Sequence, residues 1–333
     1  MTGVLLAIDG GGSKTDVVVL AVDGTVLAHT RGGGSCPQVI GVAPALAVID
    51  DLVRAALDQA GRPRVVRIGV YLSGLDLPVE IETFTAALHA LPWFEPAAGV
   101  VVENDTFALL RAGTAEHQAV AVVCGTGINC VGRRADGATA RFPALGRISG
   151  DWGGGFELGE QAIWHAARAL DGRGAPTILA QLVPAALGRP TLAAVIEDLH
   201  FGRLDHDDVT LLSPVLLDAA GRGDAVAMGV VERQADEVAA LALAALRRLG
   251  LTGEAVPVVL GGGVLAARDP ALTEGIRTRI AAGAPGAHLV FVADRPVLGA
   301  AFLTLEAHGA SASTLDRARA SLATRAASEA VAS

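Results

Sequence analysis

Cysteine is scarce: Cys36, Cys124 and Cys130 are the only three in 333 residues. No Cys-x-x-Cys pair occurs, and three thiols cannot build a disulfide framework, so a reducing cytoplasm is the expected compartment. Aromatics make up 4% of the chain, and Lys plus Arg number 26 against 35 Asp plus Glu, a net charge of −9. No basic stripe interleaved with aromatics occurs, which argues against nucleic acid and against an anionic membrane surface. The eight histidines are scattered, and no His/Cys set has zinc spacing. No apolar run reaches the roughly 18 residues, free of charge and glycine, that a spanning helix needs, and no signal-like n-region and h-region open the chain. What is abundant is apolar side chain, 51%, and glycine, 41 residues, with only 18% charged. That length and composition give two domains with sizeable cores and exclude global disorder. Richness in Ala and Arg with little Lys points to a GC-rich bacterial source.

The most informative stretch is VLLAIDGGGSKTDVVVLAVDG, at the start. Val4 to Ile8 is a short run of β-formers and reads as a buried strand. Asp9 ends it, Gly10 to Gly12, Ser13, Lys14 and Thr15 follow, and Asp16 to Val22 reads as the next strand. Three glycines between strands let the backbone take positive φ and come close to a ligand. Consecutive N–H groups in such a turn suit a phosphate, and a carboxylate beside them suits hydrated Mg²⁺. A Walker loop is excluded because Ser13 stands where its second glycine should be and a strand follows. A dinucleotide fingerprint is excluded because its glycines must open a helix. An ordinary tight hairpin has the same residues.

Asp23-Gly24 is a hairpin signal, so Thr25 to Thr30 reads as a third strand. The loop RGGGSCPQVIG follows. A helix is expected over 44–60, a strand over 65–72, the loop Ser73-Gly74-Leu75-Asp76, a helix over 79–91 and a strand over 99–102. Glu103, Asn104 and Asp105 then lie at a strand's carboxyl end, and a helix starts at Thr106. The pattern repeats: strand 119–124, the turn Gly125-Thr126-Gly127, strand 128–132, the hairpin Asp136-Gly137 and strand 139–142. A helical insert over 155–251 ends in a long helix, 225–249. A strand over 256–260 with Gly261-Gly262-Gly263, a helix over 270–282, a strand over 288–292 and a helix over 296–308 complete the unit. The tail after 309 reads as a surface helix or a frayed end. The chain thus reads as a duplicated α/β unit, two lobes with a cleft into which the glycine turns of both copies point.

That layout, with DGGGSKTD, CGTG and LGGG in order, resembles the actin/hexokinase/Hsp70 superfamily, a duplicated ribonuclease H-like fold. GDWGGG narrows the resemblance to the BadF/BadG/BcrA/BcrD ATPase-type family and, within it, to its N-acetylglucosamine kinases, over roughly 5–305. The resemblance implies an N-terminal actin-like domain over 1–113, a larger second one over 114–309 and a tail over 310–333. It implies ATP and Mg²⁺, with Gly10, Gly11, Gly12, Ser13, Lys14, Thr15, Gly125, Thr126, Gly127, Gly261, Gly262 and Gly263 around the nucleotide and Asp9 near the metal, through water. Asp105 matches the catalytic base, which phosphoryl transfer needs beside positioning and charge neutralisation. Ser35, Cys36, Gln38, Ser73, Gly74, Asn104, Asp105, Asn129, Gly150 and Asp151 match the sugar site. The expected activity is O6 phosphorylation of N-acetylglucosamine by a homodimer that binds ATP and a sugar but no nucleic acid or membrane.

Asp105 and Asp151 each have a plainer reading as helix N-caps. Cys36 departs from the family, whose sugar kinases commonly carry Asn there. A thiol is a weak hydrogen-bond partner, with Ser35 or Gln38 as substitutes. Glucosamine, N-acetylmannosamine, N-acetylmuramic acid and glucose therefore stay open. Trp152 replaces the more usual Glu, to stack on a sugar or pack at the hinge. Trp93 and Trp164 read as core. Asp205-His206-Asp207-Asp208 reads as a solvated helix start rather than a metal site. Two rivals of other classes stand: an iron–sulfur ATPase activator of a 2-hydroxyacyl-CoA dehydratase, built on Cys124 and Cys130, and a non-catalytic sugar sensor. Buried free thiols are the commoner state of such cysteines. Intact Asp9, Asp105 and glycine turns, with no DNA-binding segment before Val4, count against the sensor.

Overall fold

A computed structural model describes residues 3–332. The chain divides into two compact units, residues 1–115 with 292–333, and residues 116–291.

In the first unit β1 (Val4–Gly10), β2 (Thr15–Ala21) and β3 (Val26–Gly32) form an antiparallel meander. A short helix α1 (Pro37–Ile40) and α2 (Val42–Gln59) lead to β4 (Val65–Leu72). Then come α3 (Pro78–Leu88), β5 (Gly99–Asn104) and α4 (Asp105–Gly113). The sheet order is β3-β2-β1-β4-β5, with β4 and β5 parallel to β1. β1 is buried along its whole length, and Leu5, Leu6 and Ile8 are 0% exposed. Each contributes on the order of 1.5–3 kcal/mol through burial. Asp16, level with Asp9 across β1–β2, is held by His29 Nε2 at 2.7 Å and by both donors of the Arg31 fork at 2.8 and 3.0 Å.

The second unit has the same topology. β6 (Ala119–Cys124), β7 (Ile128–Arg133) and β8 (Thr139–Arg141) are antiparallel. The insert comprises α5 (Gly155–Leu170), α6 (Leu179–Ala186), α7 (Leu192–His200), α8 (Ser213–Gly221) and α9 (Ala225–Leu249). β9 (Pro257–Gly261), α10 (Gly263–Ala266), α11 (Pro270–Gly283) and β10 (His288–Phe291) close the unit. The order β8-β7-β6-β9-β10 repeats that of the first sheet strand for strand. α9 lines the unit's core with Val230, Val231, Val238, Ala242 and Leu246.

The linear division at 309 is not where packing divides the chain. α12 (Pro296–Ala307) and α13 (Ala312–Ala332) belong with the first unit. α12 lies against α4 so closely that a Cβ on Gly299 would stand 1.8 Å from the Ala108 carbonyl oxygen. Arg111 donates to Glu306 at 2.9 Å and its guanidinium lies 4.7 Å from the Phe302 ring centroid. α13 closes over β3, where the Ser321 hydroxyl accepts from Val26 N–H at 3.0 Å. Trp93 packs on the first core and donates to Asp50 at 3.0 Å. Trp164, expected in the core, is 50% exposed, because it lies on the outer face of α5 with Arg168 over its ring. In the run 205–208, Asp205 and Asp208 cap the 3-10 turn His206–Leu212, and the His206 side chain lies outside the described residues.

An exposed helical Gly→Ala change stabilises by up to about 1 kcal/mol. Gly299→Ala should do the reverse, because its new methyl meets backbone that cannot turn aside. We expect thermal melting to show a fall of several degrees. An unchanged or raised melting temperature would mean that the α4–α12 spacing relaxes freely.

Candidate active site

In the first unit, Gly10, Leu72 and Asn104 lie level in the ladder at the carboxyl ends of β1, β4 and β5. Ligands of open parallel sheets sit beyond such ends. The turn after β1 is tight: Gly11 N–H donates to the Lys14 carbonyl at 2.8 Å, leaving Gly12, Ser13 and Lys14 exposed. Gly10, Gly11 and Gly12 do not use the positive φ open to glycine. What Gly10 needs is room, since a Cβ there would stand 2.3 Å from Ser35 Oγ and 2.5 Å from Leu72. Around Gly12 a Cβ would meet nothing within 4 Å, so that backbone faces open space.

Two loops brace this turn. Ser35 N–H donates to the Gly11 carbonyl at 3.0 Å, and Ser73 N–H to the Gly10 carbonyl at 2.9 Å. The buried Thr15 hydroxyl donates to the Gly33 carbonyl at 2.7 Å and lies 2.8 Å from Ser35 Oγ. The hydroxyls of Thr15 and Ser35 therefore belong to the scaffold of the turn. Cys36 is buried, and a Cβ on Gly74, whose φ is +74°, would stand 2.7 Å from its Sγ. Ser73 Oγ is buried without a hydrogen-bond partner.

A polar chain that sequence reasoning missed runs from this loop to Asp105. Asn104 is the N-cap of α4: its Oδ1 accepts from Thr106 N–H at 2.9 Å, and its Nδ2 donates to Asp76 at 2.9 Å. Gln38 Nε2 donates to Asp76 at 3.2 Å and to Glu80 at 2.9 Å. Glu80 also accepts from the N–H groups of Asp76 and Leu77. The only hint in the sequence is Glu three residues after Leu77, a capping spacing. Because Asn104 does the capping, Asp105 is the first helical residue and its carboxylate is not needed as a cap.

Burial pushes the Asp105 carboxyl up to about 6. Burial also raises Asp9 well above the ordinary value, and the Asp105 and Asp16 carboxylates add to that rise. Asp16 itself stays low: burial opposes this, but the His29 and Arg31 hydrogen bonds prevail. The strand ends are thus short of positive charge, the condition a divalent cation relieves. Among the described residues no three His, Cys, Asp or Glu side chains form a protein-only metal cage. Asp9 fits a Mg²⁺ that takes one or two carboxylates and fills its shell with phosphate and water.

In the second unit the Gly125–Gly127 turn leaves β6 and Gly262-Gly263 leave β9, with Val123 and Gly261 paired. The segment 150–155 interlocks with the first turn: Gly155 N–H donates to the Gly125 carbonyl at 2.7 Å and Phe156 N–H to Thr126 at 3.0 Å. A Cβ on Gly154 would stand 2.5 Å from Gly127 backbone, and one on Gly262 2.3 Å from the Cys124 carbonyl. Gly150 ends the 3-10 turn Gly146–Ser149 with φ 86°. Asp151 takes a hydrogen bond from the Ser149 hydroxyl, and the cap of α5 is Gly154, so Asp151 is not the cap its position allowed. Asn129 Oδ1 accepts from Cys130 N–H at 2.6 Å. Trp152 is buried under Arg233, whose guanidinium lies 4.0 Å from the ring centroid. Cys124 and Cys130 are both 0% exposed, and burial raises both thiols, Cys124 to about 12. They are neutral thiols packed in the core, not thiolates.

The model of the BadF/BadG/BcrA/BcrD ATPase family matches residues 6–304. An N-acetylmuramic acid/N-acetylglucosamine kinase of Clostridium acetobutylicum is 26% identical over 78% of this chain and 85% of its own. An N-acetyl-D-glucosamine kinase of Dictyostelium discoideum is 25% identical over 91% of this chain and 98% of its own. A solved structure from Chromobacterium violaceum, of a protein named as an N-acetylglucosamine kinase, is 26% identical, with a TM-score of 0.67 over 91% of this chain and 99% of its own. With a family model covering nearly every element that carries the two glycine-turn sites, the chain belongs to the BadF/BadG/BcrA/BcrD ATPase family.

Proposed function

We propose that the chain is an ATP-dependent kinase that transfers a phosphoryl group to O6 of an amino sugar, N-acetylglucosamine first. The observation that carries this reading is the half-buried Asp105 carboxyl, raised by desolvation and level with the Asp9–Thr15 turn at the ends of parallel strands. It gains support from relatives named as N-acetylglucosamine kinases.

Asp105 takes the proton from the sugar hydroxyl as the hydroxyl attacks the γ-phosphorus and ADP leaves. The amides of Gly11 to Ser13 and of Gly125 to Gly127 hold phosphate oxygens, with Lys14 adding positive charge. Gly261 to Gly263 leave space for the nucleoside. Asp9 would hold Mg²⁺ through water, and that ion would supply neutralisation of the β- and γ-phosphate charge. Asp151 accepts from two sugar hydroxyls, with Asn129 near the ring. Glucosamine is the second substrate reading, favoured by one observation. Both substitutes for the missing Asn at position 36 are engaged, the Ser35 hydroxyl with Thr15 and the Gln38 amide nitrogen with Asp76 and Glu80. The reading includes a reducing cytoplasm, supported by the three free buried cysteines, and a homodimer. Among the described residues no helix is long and apolar enough to cross a membrane.

Asp105→Asn should lower kcat by about 10²–10⁴, with ATP binding retained. Steady-state rates against N-acetylglucosamine, glucosamine and N-acetylmuramic acid check this, and near-normal turnover would remove Asp105 from its role. The base must be ionised, so kcat/KM of the wild type should fall as pH drops through about 6. A profile flat from pH 7.5 to 5 would contradict it.

The same carboxyl predicts a stability effect. Its folded pKa lies above the ordinary 3.8, so the native state binds more protons between about 4 and 6, and stability declines as pH rises through that window. Asp105→Asn should therefore melt a few degrees higher than wild type at pH 8, with the gap closing towards pH 4. A variant melting lower at pH 8 would show that the carboxylate stabilises the fold.

A further inference from the structure

Gln234 lies on the apolar face of α9, between Val230 and Val238, and is 0% exposed. An amide buried so deeply is costly unless both ends are bonded. Its Oε1 accepts from Gly154 N–H at 3.1 Å and its Nε2 donates to Cys124 Sγ at 3.3 Å. Cys124 is the residue before the Gly125–Gly127 turn, and Gly154 lies three residues past Asp151. The segment between them rests on the same side chain, since a Cβ on Gly153 would stand 2.6 Å from Gln234 Oε1. Its neighbour Arg233 covers Trp152. The rest of this interlock is the Gly154 backbone amide against the Cys124 thiol, and backbone against backbone through Gly154 and Gly127 and through Gly155 and Gly125.

We infer that Gln234 is a positioning residue that ties the phosphate turn 125–127 to the Asp151 segment, so that nucleotide binding and sugar binding reinforce each other. It rests on the kinase reading. A phosphate that draws in the amides of 125–127 also fixes Gly154 and hence Asp151, because one amide side chain spans Cys124 and Gly154. The Cys124 thiol stays neutral at every working pH, so it remains a weak acceptor for Nε2 and brings no charge into this space.

The experiment is a grid of initial rates over ATP·Mg²⁺ and N-acetylglucosamine (glucosamine, if that is preferred), with melting temperatures taken alongside. It compares wild type, Gln234→Met, which keeps length and loses both hydrogen bonds, and Val238→Ala, which loosens the same helix face two core positions away. Wild type should show a sugar KM that falls as ATP saturates. In Gln234→Met that dependence should vanish and both KM values rise by about tenfold, with kcat falling less. Val238→Ala should lower the melting temperature and leave both KM values in place. Should Gln234→Met fail to fold, the pair Cys124→Ala and Cys124→Ser decides: Ala should raise the KM values and Ser, which restores an acceptor, should return them towards wild type. An active wild type whose Gln234→Met loses only melting temperature, or equal behaviour of Cys124→Ala and Cys124→Ser where that pair decides, overturns this inference alone. A wild type whose ADP formation ignores every sugar overturns the kinase reading and the inference with it.

Discussion

Gly10, Leu72 and Asn104 stand abreast at the ends of three parallel strands, and the chemistry of the first unit depends on that register. It puts the Asp9 turn and Asp105 at one level, two strands apart, or roughly 10 Å at normal sheet spacing. A slip of one residue in β4 or β5 would turn Asp105 to the other face of the sheet. The register is fixed by what lies beneath. β1 is buried on both faces, and α12 and α4 press on one of them with so little space that position 299 has no side chain.

That arrangement has a cost at its end. Asp9 and Asp105 are carboxyls held where burial raises both, and only Asp16 is fully matched, by His29 and Arg31. Such groups favour ligands: in the proposed reading a cation at Asp9 and a substrate hydroxyl at Asp105 would meet carboxyls the protein has left short of partners. The second unit solves a different problem on the same topology. Its turns carry no buried acid of this kind, and stiffness comes from glycines packed backbone to backbone and from one internal amide. The duplicated sheet is therefore one scaffold put to two uses, charge at one set of strand ends and rigid amide-rich loops at the other.

Much of this was legible from residue order. Asp23-Gly24 and Asp136-Gly137 marked both hairpins, β-branched runs marked the strands, and the duplication followed from their spacing. β4 was read to the residue, since its apolar run ends in Leu72 before Ser73-Gly74. The division of the insert into five helices was not legible, because its apolar residues face more than one neighbour and blur the helical period. Nor was the return of α12 and α13 to the first unit, a tertiary contact decided by Gly299 against Ala108. Of the glycines of the first turn only Gly10 is demanded by crowding; Gly11 and Gly12 have room around them and none of the three uses left-handed backbone. The bridging role of Asp76 was not legible, because its partners Gln38 and Asn104 come from distant segments. Gln234 left a signal that can be used elsewhere: a lone amide on an otherwise apolar stripe, four residues from Val230 and from Val238.

The central claim is that a phosphoryl group passes from ATP to a sugar hydroxyl rather than to water. Phosphorus NMR of a reaction of the wild-type protein with ATP·Mg²⁺ and N-acetylglucosamine tests it most directly. The account predicts a sugar 6-phosphate resonance growing in step with ADP, and little inorganic phosphate when the sugar is left out. Inorganic phosphate matching ADP, with or without sugar and with no sugar phosphate formed, would contradict it.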